Sequence, residues 1–365
     1  MALTDQITRL GADERAEQAT KWARLARAAQ RRRLLGQVAL IAVLMVISLP
    51  IILPYLWMIL ISFTAKLGEP DASALWSACL AIFPAVVVIA AASALMPNDR
   101  MQTWVIGGAI VLALCALAIL IGPELHLSNY RFMVTPNLIE DRMGEATAGG
   151  QFPWVWTAFG NSLILAGAQT VIVVTVSTLA GYYLSRFAFP ARAGFLQALL
   201  VLQAFPAMTL IIPIFLIAHH TGLLNTLVAP MLVITALELP FFIFIMKGFF
   251  DAVPWDIEMS ALVDGESRRE AFAKVVLPQV RVGMIAIGIF AFIKGWEEYV
   301  FVSSLRTGSS YWVMSLYLYY VSEDVMGVDY GLVAAVAVFY LAPAMLLYLF
   351  TQKYLTQMSV GGIKG

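Results

Sequence analysis

Residues 253–278 read "VPWDIEMSALVDGESRREAFAKVVLP", a charged stretch in a chain that is otherwise strongly apolar. Acidic residues follow Pro254, and the stretch pauses at Asp264-Gly265 before a second amphipathic segment that reaches Pro278. Acidic residues at a helix start complement the helix dipole, and a glycine after a helix adopts the left-handed cap conformation. The pattern therefore predicts a helix, a glycine corner and a second helix that Pro278 ends.

The composition around this stretch is that of a membrane protein. Of the 365 residues, 61% are hydrophobic and only 13% are charged, and the mean hydropathy is +0.83. Soluble domains carry roughly 25% charged residues, so the excess apolar surface must face lipid. The formal net charge is zero, which gives no indication of a nucleic-acid partner.

Eight stretches are apolar and long enough to cross a bilayer. A hydrocarbon core of about 30 Å needs roughly 20 apolar residues in a helix. Backbone groups in lipid must bond to one another, so such stretches are expected to be helical. We therefore predict an all-α integral membrane protein with eight transmembrane helices, near 38–62, 75–96, 101–122, 160–185, 195–218, 226–248, 281–303 and 330–352.

The distribution of Lys and Arg predicts the orientation of these spans. The segment before the first span is rich in basic residues and ends in the triplet Arg31, Arg32 and Arg33. Basic residues near span ends favour the cytoplasmic side. Counting through eight spans then places the N-terminus, the 249–280 connection and the C-terminus in the cytoplasm.

The spans group into segments of different character. The hairpin 75–122 could be removed without changing the topology of the remaining spans, so we interpret it as an insertion into a six-helix plan. The predicted organisation is a basic cytoplasmic segment 1–36, a first transmembrane helix 37–63, the hairpin 75–122, a core 127–353 and a cytoplasmic tail 354–365.

Several motifs, taken together and in order, resemble a known family. Asp264-Gly265 is followed twelve residues later by Leu277 and Pro278. This spacing resembles the "EAA" loop of permease subunits in ATP-binding-cassette (ABC) importers. Other stretches are similar to the carbohydrate-importing, maltose-type permeases, specifically the MalG-like subunit: "LSNYRFM" (127–133), "WTAFGNSLILA" (156–166), "QAFPAMTLIIPIFLI" (203–217), "GLLNT" (222–226), "LPFFIFIMKGFFDAVPWDIE" (239–258), "GWEEYVF" (295–301), "DYGLVAAVAVFYLAP" (329–343) and "GGIKG" (361–365). The first span is also covered, whereas the hairpin 75–122 and the N-terminal segment fall outside the resemblance.

The resemblance implies a type I ABC importer permease core whose loop 251–280 couples the spans to a separate ATPase. Met259 stands where the family has the Glu of Glu-Ala-Ala, which leaves open whether Glu258 takes over that charge or the ion pair with the partner is absent. Gly362 and Lys364 of the tail are also expected to reach the ATPase. The residues implied in coupling are Glu258, Met259, Ser260, Ala261, Asp264, Gly265, Leu277 and Pro278.

The resemblance also implies partners and a cargo. These are a homologous MalF-like second permease, two copies of an ABC ATPase subunit and a periplasmic or extracellular solute-binding protein, in the inner membrane of a bacterial cell. The sequence lacks the Gly-x-x-x-x-Gly-Lys-Ser/Thr phosphate loop, so ATP and Mg²⁺ are expected on the ATPase, and this chain is expected to be a transport subunit rather than an enzyme, with no cofactor or metal of its own. The expected cargo is a sugar, polyol or glycerol derivative. The alternative is a secondary, ion-coupled transporter without an ATPase partner, although no internal repeat typical of that class is visible.

Polar residues inside the spans are candidates for the substrate pathway, because ionisable groups are costly in lipid. A sugar needs hydrogen-bonding side chains and an aromatic face. An alternative is that Lys294 pairs with Glu297 or Glu298 one turn away and has only a structural role. The candidates are Gln203, Glu238, Trp296, Glu297, Glu298 and Tyr299.

Overall fold

The computed structural model describes residues 12–64, 73–96, 99–136, 152–306, 311–323 and 329–361. All regular secondary structure within these ranges is helical. The chain forms two compact units, Met1–His126 and Leu127–Gly365. The boundary between the units coincides with the predicted start of the core at 127, whereas the first span, which the resemblance adds to that core, lies in the first unit.

The first unit contains three long helices, α1 (Ala12–Thr64), α2 (Ser73–Leu95) and α3 (Asp99–Leu120). Helix α1 runs from the basic segment into the first span, where it bends by 50° near Pro50, whereas the sequence predicts two separate segments. The three helices meet at an apolar cluster formed by Leu60, Ala78 and Ile121 with their neighbours. The predicted hairpin is therefore present as α2 and α3, and its status as an insertion stays a prediction.

The second unit continues with ten helices over the described residues. One of them, Arg268–Gln279, contains a π-helical segment, Ala271–Val276. The helices are α4 (Val155–Arg186), α5 (Arg192–Gln203), α6 (Ile211–His220), α7 (Val228–Asp251), α8 (Trp255–Val263), α9 (Arg268–Gln279), α10 (Arg281–Trp296), α11 (Val300–Ser304), α12 (Met314–Ser322) and α13 (Tyr330–Gly361).

Helix α4 is the central helix of this unit and contacts α7, α10 and α12. Its buried side carries small residues at helical spacing, among them Ala158, Ser162 and Ala166. Helices in lipid associate through such close packing rather than through the hydrophobic effect. At Gly181 a Cβ atom would lie 2.9 Å from the backbone nitrogen of Lys247, so the backbones of α4 and α7 touch there.

The number of membrane spans depends on three bends. Five helices are long and apolar enough to cross a membrane alone, and the described residues give up to eight spans if each bent pair counts as one. This upper number agrees with the prediction. The sharpest bend, 89°, separates Arg192–Gln203 from Ala207–His220 at Pro206, where the sequence predicts a kink because proline cannot continue the helical hydrogen bonding.

Two boundaries differ from the sequence prediction. The predicted span 281–303 is interrupted after Trp296, and α11 begins only at Val300. Helix α13 continues to Gly361, well into the predicted tail 354–365. Both differences concern helix ends, where apolar composition alone gives little information.

Candidate functional site

A helix–corner–helix arrangement connects α7 to α10, and we call residues Trp255–Gln279 the corner element. Gly265 has φ +93°, which is the left-handed region. Its N–H donates to the carbonyl of Leu262 at 3.2 Å, and the N–H of Glu266 donates to the carbonyl of Ala261 at 3.1 Å. These two bonds form a Schellman cap, so the predicted glycine corner is confirmed.

The start of α9 is held by a capping box between Ser267 and Glu270. The hydroxyl of Ser267 donates to Glu270 Oε2 at 2.7 Å, and its N–H donates to the same atom at 3.0 Å. These hydrogen bonds, with a smaller contribution from Lys274, lower the pKa of Glu270 to about 2. Lys274 Nζ lies 3.0 Å from Glu266 Oε2, and this hydrogen bond raises the pKa of Lys274. The outer part of the corner element is thus an exposed network of charges.

The base of the corner element holds a buried carboxylate. Glu258 is 1% exposed. Its Oε1 accepts a hydrogen bond from the Tyr182 hydroxyl at 2.6 Å, and its Oε2 accepts one from Arg186 Nε at 3.0 Å. Arg186 Nη2 also donates to the carbonyl of Val253 at 2.9 Å. We call Tyr182, Arg186 and Glu258 the buried triad.

The buried triad bears on the role of Glu258, which the sequence leaves open. A carboxylate that replaces the family's Glu on a docking surface would face outward. In the structure the carboxylate points inward and is neutralised by Arg186 of the same chain. The sequence alone does not reveal this partner, because Arg186 lies 72 residues earlier and appears there only as a basic residue at a span end.

Aromatic rings surround the buried triad. The Tyr182 ring centroid lies 4.5 Å from that of Phe272 in α9 and 5.6 Å from that of Phe250 in α7. The Arg186 guanidinium lies 5.4 Å from the centroid of the Trp255 ring. The last turn of α4 therefore contacts both arms of the corner element as well as the end of α7.

The remaining residues predicted to act in coupling divide between surface and interior. Ala261 is buried, Met259 and Leu277 are half-buried, and Ser260, Asp264, Gly265 and Pro278 are exposed. Gly362 and Lys364 lie outside the described residues. Helix α9 ends at Gln279, one residue after Pro278, and the chain then turns by 72° into α10.

A second set of charges lies between two predicted spans. Lys294 Nζ of α10 is 4.0 Å from Glu238 Oε1 of α7, and the two side chains are 60% and 24% exposed. The alternative that Lys294 pairs with Glu297 or Glu298 is not what the structure shows. Its described ion pair joins two helices instead of two turns of one helix.

The residues after α10 form a short irregular segment. Glu298 Oε1 accepts a hydrogen bond from the N–H of Phe301 at 2.6 Å, so this carboxylate caps α11. The Glu298 carbonyl accepts a hydrogen bond from the Ser315 hydroxyl at 2.5 Å. Glu297 is exposed, and the half-buried Tyr299 has its ring 4.8 Å from that of Tyr319. Glu238, Lys294 and these two glutamates make up what we call the intramembrane cluster.

Two predicted pathway residues have packing or bridging contacts. Trp296 is 1% exposed, donates its Nε1–H to the Tyr340 carbonyl at 3.1 Å, and stacks against both Phe292 and Tyr340. It therefore offers no free ring face to a sugar, which differs from the sequence prediction. Gln203, the last residue of α5, is exposed. Its Nε2 donates a hydrogen bond to the Leu237 carbonyl at 2.7 Å and so links α5 to α7.

Within the described residues, no group of three or more His, Cys, Asp or Glu side chains could hold a metal ion. The contacts described in these regions are hydrogen bonds and charge pairs. The corner element is stiff and partly exposed, whereas the intramembrane cluster is loosely paired and polar.

Comparisons with known proteins identify the family. Residues 173–358, half of the chain, match the family described as binding-protein-dependent transport system inner membrane component. The diacetylchitobiose uptake system permease protein NgcG of Streptomyces coelicolor is 34% identical over 53% of this chain and 65% of its own length. The sulfoquinovosyl glycerol transport system permease protein SmoH of Agrobacterium fabrum is 30% identical over 56% of this chain and 72% of its own length.

A solved structure shares the fold. A bacterial ABC transporter involved in the import of the acidic polysaccharide alginate has a chain that matches with a TM-score of 0.53 at 19% identity. The match covers 70% of this chain and 98% of that chain. The helical membrane architecture and the family match agree with each other, and the chain belongs to the family of binding-protein-dependent transport system inner membrane components.

Proposed function

We propose that this chain is the transmembrane permease subunit of an ATP-driven, solute-binding-protein-dependent importer for a sugar, polyol or glycerol derivative. The corner element carries the proposal, because a capped and partly exposed helix pair between two spans is suited to docking on another protein. The relatives support the cargo class, since one is named for a disaccharide derivative and another for a sugar-linked glycerol.

In this proposal the corner element docks on an ATPase subunit that binds ATP and Mg²⁺. Closure of the ATPase would move the corner element as a stiff body and bias the spans between two access states. The exposed Ser260, Asp264, Gly265 and Pro278 are the candidates for direct contact, and Gly362 and Lys364 are proposed as a second contact. This chain itself lowers no chemical barrier.

The substrate pathway is proposed to pass the intramembrane cluster. Glu238, Glu297 and Glu298 supply hydrogen-bond acceptors, and Tyr299 supplies an aromatic ring. Gln203 lies beside this region through its bond to Leu237. Trp296 is assigned to packing instead, because its ring faces are covered.

The proposed assembly contains this chain, a homologous MalF-like permease, two copies of an ABC ATPase and a solute-binding protein. It lies in the bacterial inner membrane, with both termini of this chain in the cytoplasm. The basic N-terminal segment supports this orientation.

The proposal is tested by reconstituting the chain in lipid vesicles with its candidate partners. We expect substrate uptake to require ATP on the side of the corner element and the binding protein on the other side. Photo-crosslinkers at Ser260 and Asp264 should capture the ATPase. Uptake by this chain alone, driven by an ion gradient and insensitive to ATP, would favour a secondary transporter and contradict the proposal.

A further inference from the structure

The corner element is joined covalently to two spans, α7 and α10, and through side chains to a third, α4. The chain enters it from α7, yet the carboxylate of Glu258 bonds to α4. We infer that the buried triad is a joint that transmits movement of the corner element to α4, with Tyr182 and Arg186 as its positioning residues. This inference rests on the proposed function.

Both arms of the corner element converge on α4. Helix α8 reaches it through Glu258, and α9 reaches it through Phe272, whose ring centroid is 4.5 Å from that of Tyr182. Arg186 also binds the Val253 carbonyl in the link between α7 and α8. A tilt of the corner element would therefore act on the C-terminal end of α4 through three contacts: Glu258, Phe272 and the Val253 carbonyl.

The joint is difficult to open. Arg186 and Glu258 are 5% and 1% exposed at their side chains, and both carboxylate oxygens of Glu258 are hydrogen-bonded. Separating the two would leave an uncompensated charge in the interior, which is strongly unfavourable. By contrast, Lys274 and Glu266 at the tip are 59% and 36% exposed, so water can replace that pair at little cost.

Movement of α4 would reach most of the second unit. Helix α4 contacts α7, α10 and α12, and the backbone contact at Gly181 lies directly before Tyr182. Helices α7 and α10 are already attached to the corner element by the chain. The buried triad therefore adds α4 as a third helix on which the corner element acts, and α4 in turn contacts α10, the helix that carries Lys294.

Two variants weaken the joint to different degrees. Glu258→Gln removes the ion pair but keeps a side chain of the same shape, and Tyr182→Phe removes one hydroxyl while keeping the ring on Phe272. Lys247→Gln is the matched control, because Lys247 pairs with Asp251 in an i,i+4 contact at the same end of α7, with side chains 16% and 44% exposed. Each variant is reconstituted with the ATPase, the second permease and the binding protein.

The readout is the number of substrate molecules imported per ATP hydrolysed, measured beside the amount of assembled complex. We expect this ratio to fall about tenfold in Glu258→Gln, which corresponds to roughly 1.4 kcal/mol, and less in Tyr182→Phe. The ratio should not change in Lys247→Gln. A purely structural role would lower the amount of complex without changing the ratio per complex.

A crosslink provides a mechanical rescue. Tyr182→Cys combined with Glu258→Cys, in a chain whose Cys79 and Cys115 are replaced by Ala, removes the triad and permits a short bifunctional thiol reagent to join α4 to α8. We expect the reagent to restore the ratio in this variant and not in either single cysteine variant.

An unchanged import ratio in assembled Glu258→Gln complexes would overturn the inference. Should Glu258→Gln fail to assemble, the ratio in Tyr182→Phe decides in the same way. These outcomes differ from failure of the proposed function, in which the wild-type chain would bind no ATPase at all.

Discussion

The buried triad and the intramembrane cluster both pair a glutamate with a cation from another helix, but they do so in opposite ways. In the triad, Glu258 is bonded to Arg186 at 3.0 Å and to Tyr182 at 2.6 Å, and is almost fully buried. In the cluster, Glu238 and Lys294 are 4.0 Å apart and partly exposed.

This difference indicates two kinds of task. A buried carboxylate whose oxygens are both occupied has no capacity for a ligand and resists separation. A loose and accessible pair can exchange its partner for substrate hydroxyls or water at little cost. The triad is therefore suited to transmitting force, and the cluster is suited to binding.

The largest contrast should come from removing the cation in each place. Arg186→Ala leaves Glu258 buried without compensation and should lower the free energy of unfolding by about 3–5 kcal/mol. Lys294→Ala should lower it by less, since that pair is 4.0 Å apart and its side chains are 60% and 24% exposed. Denaturant unfolding in detergent measures both, and equal losses would remove the distinction between the two sites.

The next effect concerns the packing that positions the cluster. A Cβ at Gly295 would lie 2.3 Å from Gln169 Oε1 and 2.9 Å from the Cα of Ala166, so Gly295→Ala should cost about 1–3 kcal/mol of stability.

Gly288 in the same helix is the matched control. The nearest atom to its added Cβ would be Val174 Cγ2 at 3.5 Å, which is ordinary contact. Gly288→Ala should be neutral, or stabilising by up to about 1 kcal/mol. Thermal unfolding compares the two variants. A loss of stability in Gly288→Ala as large as that in Gly295→Ala would contradict a close approach of α10 to α4 at Gly295.

A smaller effect is expected at the corner. Gly265 has φ +93° and no atom within 4 Å of an added Cβ, so Gly265→Val should suffer only backbone strain, about 1–2 kcal/mol. We expect it to enter the membrane normally and to hydrolyse ATP without importing substrate.

The control for this variant is Gly265→Asn, because asparagine tolerates the left-handed conformation better than valine. Uptake in vesicles should be largely retained in Gly265→Asn. Wild-type uptake by Gly265→Val would show that the corner does not need its left-handed turn.

The smallest effect is a shift in the pKa of Glu270, in the exposed outer part of the corner element. Ser267→Ala removes the hydroxyl hydrogen bond to Glu270, which is the largest contribution, and keeps the backbone N–H bond, so it should raise the pKa of Glu270 from about 2 part of the way toward the ordinary value of 4.5. Lys274→Gln removes a lesser contribution and should raise it less. Titration of isotope-labelled glutamate by NMR measures both shifts.

The sign of the accompanying pH effect follows from the lowered pKa. Stabilisation from the charged Glu270 is fully present above the unfolded pKa and is lost as the pH falls through about 2. In Ser267→Ala this pH dependence should be weaker. An unchanged Glu270 pKa in that variant would contradict the role of the capping box.

The corner element could be predicted from sequence because its signals are local. Pro254, the acidic first turn and Gly265 lie within a dozen residues, and each has a direct conformational meaning. The buried triad could not, since Glu258 finds its partners 72 and 76 residues away. Nothing near Glu258 in the sequence distinguishes an inward carboxylate from an outward one.

In the intramembrane cluster, reasoning from neighbouring residues predicts an ion pair that the described part of the structure does not contain. Pairing Lys294 with Glu297 or Glu298 assumes that the helix continues, but α10 ends at Trp296. Glu297 and Glu298 therefore lie outside the helix that carries Lys294. Lys294 forms its ion pair with Glu238 of α7 instead. The covering of Trp296 is likewise not visible in the sequence, because the rings that pack on it come partly from α13.

The π-helical segment Ala271–Val276 has a consequence for the shape of the second arm. A π turn holds one residue more than an α turn, and each residue of an α-helix turns the chain by about 100°. The number of residues in this segment therefore sets the rotation about the helix axis between the capping box and the start of α10. With one residue fewer, the start of α10 would be rotated relative to the capping box, so the direction in which α10 leaves the corner element depends on residue count as much as on residue type.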